Sequence, residues 1–218
     1  MGACRPVAKR TGIVVVNLAL DRHELRYVEP FRQAFASPVT VVHWSDVQAL
    51  DDVDGIVLSG QPVTDPSHTQ EMVNENFGWV ADVEVPLIGI CGGHQVIGLI
   101  FGADLRRNDS EPLGLYPVFV TEEGVRDPLF KDVELEDREE RPCFMSCAHH
   151  RDTITLPEGF VLLAATELCS VALMRHPARP IYGSQLHLEN AEELPGMGTS
   201  AQLLRNFERL VLHGGARA

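Results

Sequence analysis

A chain of 218 residues, 44% hydrophobic and 22% charged, has ordinary globular composition and enough length for a sizeable core in one domain. Its formal net charge of −13 argues against nucleic acid or an anionic membrane surface as partner, and no apolar run is long enough to span a bilayer. Five irregularly spaced cysteines without a secretion signal point to a reducing cytoplasm rather than a disulfide framework.

Taken in order, Ile13-Val14-Val15-Val16 is the near-continuous apolar run of a strand buried on both faces. Asp21 is placed to cap a helix carrying Leu25, Val28, Phe31 and Phe35 along one face. Residues 39–42 and 55–58 read as the second and third strands, the third ending at Gly60, and a helix is predicted around 72–80. Strand–helix alternation of this kind predicts an α/β arrangement, a mostly parallel sheet with helices on both faces. Ligands of such sheets collect at the carboxyl ends of strands, where Gly60 and Cys91 both fall.

The stretch from Val85 to Ile100 carries the strongest chemical signal. A short apolar run after Pro86 reads as a buried strand, and after Cys91-Gly92-Gly93 a second apolar run ends at Gly102 like a helix with its C-cap. A strand, a tight turn with a thiol at its apex and a helix make a nucleophile elbow, in which Gly89, Gly92 and Gly93 have no Cβ to crowd the turn. The helix N-terminus favours a thiolate at Cys91 and aims the Gly92 N–H at an oxyanion on whatever Cys91 attacks. The alternative is a buried structural cysteine beside a glycine-rich turn.

From residue 103 onward the pattern changes. Residues 115–121, 143–146, 161–165, 171–174 and 181–186 are strand-like with few helices between them, which predicts an antiparallel extension of the sheet. The charge run 134–141 reads as a solvated loop, and Leu203, Leu204, Phe207, Leu210 and Val211 mark a closing amphipathic helix. With no repeat or linker, residues 1–218 are expected to form a single α/β domain.

A cysteine nucleophile needs a base, and the base needs an orienter. Ile181-Tyr182-Gly183-Ser184-Gln185-Leu186-His187-Leu188-Glu189 supplies both at the end of a predicted strand. If that end stays extended, His187 and Glu189 share a face, so Glu189 can hold one imidazole nitrogen while the other faces Cys91. Spacing alone does not separate such a dyad from an exposed pair. Cys143, Cys147, His149 and His150 cluster but lack paired Cys-x-x-Cys spacing, so no metal is assigned. Arg106-Arg107 reads as a solvated strand end, and His94 and His176 as structural or exposed.

Gly-Ile-Cys91-Gly-Gly-His-Gln95 and the downstream Tyr-Gly-Ser-Gln-Leu-His187-Leu-Glu189 together resemble the nucleophile and His–Glu motifs of class I glutamine amidotransferases. Ser59-Gly60-Gln61-Pro62 is similar to that family's Ser-Gly-Gly-Pro loop, and Phe144-Met145-Ser146 with Leu156-Pro157-Glu158-Gly159-Phe160 to its Met-Ser and Leu-Pro-x-Gly-Phe segments. Within the family, the cadence of Glu167-Leu168-Cys169 and Tyr182-Gly183-Ser184-Gln185 resembles the stand-alone glutamine amidotransferase subunits of GMP synthases. The chain departs from the pattern at Leu188 (a proline in the family), at Gln61 (a glycine) and at Cys147 (a histidine).

The resemblance implies the family's flavodoxin-like α/β fold and a Cys91–His187–Glu189 triad. It implies an oxyanion hole of Gly92 with the Gly60/Gln61 loop, and substrate contacts from Gln95, one helical turn beyond the thiol, and from main-chain groups at Ser146 and Cys147. The implied activity is hydrolysis of the glutamine side-chain amide through a Cys91 thioester, with no cofactor, releasing ammonia to a synthase on a separate polypeptide. A free-standing γ-glutamyl hydrolase acting on a larger γ-glutamyl compound, and a non-catalytic regulatory homologue, are the alternatives.

Overall fold

Ile13–Asn17 (β1) is buried at every position, and its alternate side chains enter two different cores. Ile13 and Val15 face one side of the sheet and Val14 and Val16 the other, which is why this strand reads as unbroken apolar sequence. The structure, a computed structural model, describes residues 12–47, 50, 52–60, 70–109, 111, 113–192 and 197–214. After β1 come α1 (Glu29–Ala34), β2 (Val39–His43), β3 (Gly55–Leu58), α2 (Gln70–Phe77), β4 (Leu87–Ile90) and α3 (Gly92–Ile100). They are followed by β5 (Leu105–Arg107), β6 (Leu113–Val120), α4 (Glu122–Arg126), β7 (Glu136–Arg138) and β8 (Arg141–His149). The chain then runs through β9 (Asp152–Ile154), β10 (Val161–Ala165), β11 (Leu173–Arg175), β12 (Ile181–Ser184) and α5 (Gly198–Gly214).

Among the described residues ten strands form one mixed sheet in the order β2-β1-β3-β4-β12-β11-β10-β6-β8-β7, while β5 and β9 pair separately. The first five are mutually parallel and every later pairing is antiparallel, so the expected α/β sheet carries its expected extension. Helices α1 and α5 cover one face, with Phe31, Phe35 and Phe207 packed on Val15, Val57 and Ile88. Helices α2 and α3 cover the other, with Val73, Phe77, Val96 and Ile97 on Val16, Ile56 and Leu58. No helix among the described residues is long and apolar enough to cross a membrane.

Three local expectations are corrected. Asp21 does not cap a long helix: its carboxylate accepts from the His23 N–H in a turn, and α1 starts only at Glu29. Pro30 is the reason, since proline suits the first helical turn but denies the helix a passage through it from upstream. Part of the charge run is not a loop, because residues 136–138 form edge strand β7 against β8. Glu139 and Glu140 make the two-residue turn between them at φ 56° and 60°, as a right-twisted hairpin requires. Finally, β12 ends at Ser184 rather than at residue 186, and the chain turns into a short 3-10 segment at Leu188–Glu192.

The sheet order places β3, β4 and β12 side by side with their carboxyl ends level, Leu58 opposite Gly89 and Ser184 opposite Ile90. The residues just past those ends are Gly60, Cys91 and His187. The Cys91 N–H donates to the Ser184 carbonyl at 2.7 Å, tying the end of β4 to the end of β12.

Candidate active site

The chain reverses from β4 into α3 at Cys91, whose φ of 46° and ψ of −100° lie outside the comfortable regions for a residue with a side chain. The turn holds because strand and helix approach too closely for side chains: a Cβ on Gly89 would lie 2.4 Å from the Gly93 carbonyl, and one on Gly93 2.4 Å from the Leu58 carbonyl. The Gly93 N–H is taken by the Ser59 carbonyl at 3.2 Å. Gly92 opens α3, so its own N–H has no acceptor within the helix.

His187 and Glu189 are both buried, and Nδ1 lies 2.7 Å from Oε1. The pairing does not come from an extended strand end. Leu188 starts the 3-10 segment, and this turn brings the carboxylate back under the ring. Leu188 stands where a stiffening proline was expected, yet it is fully buried in the core, so packing holds the segment. The same imidazole lies close enough to Cys91 for the sulfur to act on its titration. Burial works against a charge on His187, but Glu189 and the Cys91 sulfur outweigh it and hold its pKa well above the ordinary value. Gly60 packs directly against this pair, and a Cβ there would stand 2.9 Å from His187 Cε1 and 3.5 Å from Cys91 Cβ. Gln61 lies outside the described residues.

Gln95, in the first turn of α3, is buried and its amide is already engaged. Nε2 donates to the Asp152 carbonyl at 2.9 Å and to Gln185 Oε1 at 3.3 Å, leaving Oε1 without a donor among the described residues. The Ser146 hydroxyl pairs with that of Ser200 on α5 at 3.0 Å. The residue of β8 that reaches the sulfur is His149, three positions or about 10 Å further along the strand. Its carbonyl lies 3.8 Å from Cys91 Sγ. Cys147 sits behind the dyad, its carbonyl accepting the His187 N–H at 3.0 Å, and burial pushes its thiol up. Arg107 is the exposed end of β5, as expected, and from there it holds the Asp152 carboxylate through Nε and Nη2 at 2.9 and 3.3 Å. Sequence reasoning assigned no role to Gln185, whose amide lies 3.5 Å from the sulfur. A period of two back from His187 was the available signal.

Beneath the elbow lie two neutral histidines. Desolvation, reinforced by their mutual repulsion, lowers His94 to about 3, while burial with the neighbouring imidazoles lowers His150 to about 4. Neither ring nitrogen of His94 makes an aligned hydrogen bond among the described residues, although Gly183 and Val171 main-chain groups lie beside it. Both groups bind protons more readily in the unfolded chain, so their contribution to stability is complete above pH 6.5 and is lost as pH falls toward 4 and 3. By pH 5 each is expected to remove about 2 kcal/mol. His187 is shifted in the opposite direction. Urea midpoints measured from pH 7 to pH 5 should fall steeply, and His150→Asn should flatten the slope; a flat wild-type profile would contradict the burial of neutral imidazoles.

A thiol on a strained strand–helix elbow at the carboxyl edge of a parallel sheet, faced by a buried His–Glu pair, defines a protein of the nucleophile-elbow α/β class. The family model for class-I glutamine amidotransferases matches residues 28–207, and the chain belongs to that family. The glutamine-hydrolyzing GMP synthase subunit of Methanocaldococcus jannaschii is 34% identical over 163 residues, covering 74% of this chain and 76% of that protein. Its counterpart from Archaeoglobus fulgidus is 33% identical over 168 residues, covering 77% and 81%. A solved structure of a protein assigned to the same GMP synthase subunit from Thermoplasma acidophilum matches with a TM-score of 0.72 at 25% identity, over 92% of this chain and 93% of that one.

Proposed function

We propose that this protein hydrolyses the side-chain amide of glutamine through a thioester on Cys91 and delivers the ammonia to a synthase on another chain. The observation that carries the reading is the His187 imidazole held between Glu189 and Cys91, with Cys91 at the elbow. Sulfur gives its proton to His187 and attacks the amide carbon; the carbonyl electrons move to oxygen, where the Gly92 N–H and the loop at Gly60/Gln61 receive them. The imidazolium then protonates the leaving nitrogen, the C–N bond breaks and ammonia departs. Water attacks the thioester with His187 as base, and the C–S bond breaks to release glutamate. Every step uses groups of this chain, so no cofactor is needed for it.

The names of the relatives, which are glutamine-hydrolysing subunits, support glutamine as substrate and a synthase as partner. Ammonia released to solvent is lost unless a second site consumes it, so the isolated chain is expected to be slow and to be accelerated by its synthase. The test sets ammonia release from glutamine beside amine release from γ-glutamyl amides, with and without the synthase, using Cys91→Ala as control. A glutamine-mimicking diazo ketone should label Cys91. Labelling of Cys147 instead would overturn the elbow assignment, and a full rate on γ-glutamyl amides that no synthase changes would replace the reading with a free-standing γ-glutamyl hydrolase.

A further inference from the structure

The mechanism above leaves unused a chain of hydrogen bonds that ends on the nucleophile. Gln95 Nε2 donates to the Asp152 carbonyl at 2.9 Å and to Gln185 Oε1 at 3.3 Å, and Gln185 Nε2 donates to Cys91 Sγ at 3.5 Å. Gln185 has no exposed surface and Gln95 only 2%. The direction of this chain is determined by its far end. A main-chain carbonyl can only accept, so Gln95 must turn its NH₂ toward Asp152, and that NH₂ requires the oxygen of Gln185 to face it. The NH₂ of Gln185 is then left pointing at sulfur. Flipping either amide alone would set two donors or two acceptors against each other. Arg107 anchors the end by clamping the Asp152 carboxylate, so β9 cannot easily release the carbonyl.

We infer that Gln185 is a further catalytic residue, donating its N–H to the Cys91 sulfur whenever that sulfur is anionic, and that Gln95 is the positioning residue that keeps the amide turned that way; this rests on Cys91 being the nucleophile. The sulfur is anionic at two points. It is a thiolate after its proton passes to His187 and before it attacks. It becomes one again during thioester hydrolysis, when the C–S bond breaks and the electron pair returns to sulfur. In the thioester itself the sulfur is neutral and accepts weakly, so the N–H helps the bond to break more than it holds the intermediate. The other groups around the sulfur do different work. The His149 carbonyl can accept only from the protonated thiol, and Cys169, pushed up to about 12 by burial, stays neutral. Among the described residues, His187, the start of α3 and Gln185 are the groups that favour the anion.

The test is iodoacetamide alkylation of the full chain without substrate, followed from pH 5 to pH 9 with the modified cysteine located by mass spectrometry and folding checked by thermal unfolding. Gln185→Leu should slow Cys91 alkylation at pH 7 by about tenfold, the weight of one hydrogen bond to a charged group, and move the profile to higher pH. Gln185→Glu places a carboxylate against a thiolate and should slow it further. Gln95→Leu should shift the profile less in the same direction, and the double variant should match Gln185→Leu, because Gln95 acts only through Gln185. Folded Gln185 variants with the wild-type profile would overturn the inference while leaving Cys91 as nucleophile. Should Gln185→Leu not fold, an unchanged profile in Gln185→Glu or Gln95→Leu does the same. Labelling away from Cys91 in the wild type, or glutaminase activity in Cys91→Ala, would instead overturn the nucleophile itself and this role with it.

Discussion

His187→Asn is expected to lower kcat for glutamine hydrolysis by about 10⁴-fold, because one imidazole serves as acid for the leaving nitrogen and as base for the water. Asparagine is preferable to alanine here. The second oxygen of Glu189 is buried without a donor among the described residues, so deleting the ring outright would strand a buried carboxylate and endanger the fold. Glu189→Gln should be a less crippled enzyme, since an orienter contributes less than the base it holds. It should also show a signature in pH. The carboxylate is what raises His187 against the opposing effect of burial, so its removal should bring the alkaline fall in kcat to lower pH. Full glutaminase activity in His187→Asn would mean that another group is the base.

The second large effect is expected from one methyl group. A Cβ at Gly60 would meet His187 at 2.9 Å from Cε1 and 3.3 Å from Nδ1, and Cys91 Cβ at 3.5 Å. The ring must move to admit it, and a misplacement on the order of 1 Å at a reacting group is worth about a hundredfold in rate. Gly60→Ala should therefore lose kcat by about that factor while its unfolding midpoint changes little, because the residue lies past the end of β3. Gly78→Ala is the control: nothing lies within 4 Å of its Cβ position, and kcat should not change. Wild-type kcat in Gly60→Ala would show that the imidazole can shift without consequence, and that Gly60 is there for the loop alone.

Much of this molecule is legible from local pattern. The strands 55–58 and 161–165 fall where apolar periodicity puts them, and the helix after Cys91 ends before Gly102, which adopts the positive φ of a C-terminal cap. The departures have local physical causes as well. A helix running on from Asp21 ignores what Pro30 forbids, and solvation alone is too little to judge the charge run at 134–141. Its strand exists because β8 offers an edge to pair with, which no property of residues 136–138 announces.

What the sequence determined by itself was an inventory: a thiol that must sit on a glycine-walled turn, a histidine and a glutamate two residues apart, and the buried strands that carry them. Periodicity and the steric needs of glycine act over a few residues, so they survive in a one-dimensional reading. The tertiary structure alone decided which of these groups meet. Parallel alignment of β3, β4 and β12 brings Gly60, Cys91 and His187 to one edge, and a 3-10 turn rather than an extended strand closes His187 onto Glu189. It also set Gln185 on a sulfur 94 residues earlier in the chain and paired the Ser146 hydroxyl with Ser200 on α5. Contacts at that separation depend on strand order and on where each strand stops, which no short window of sequence contains.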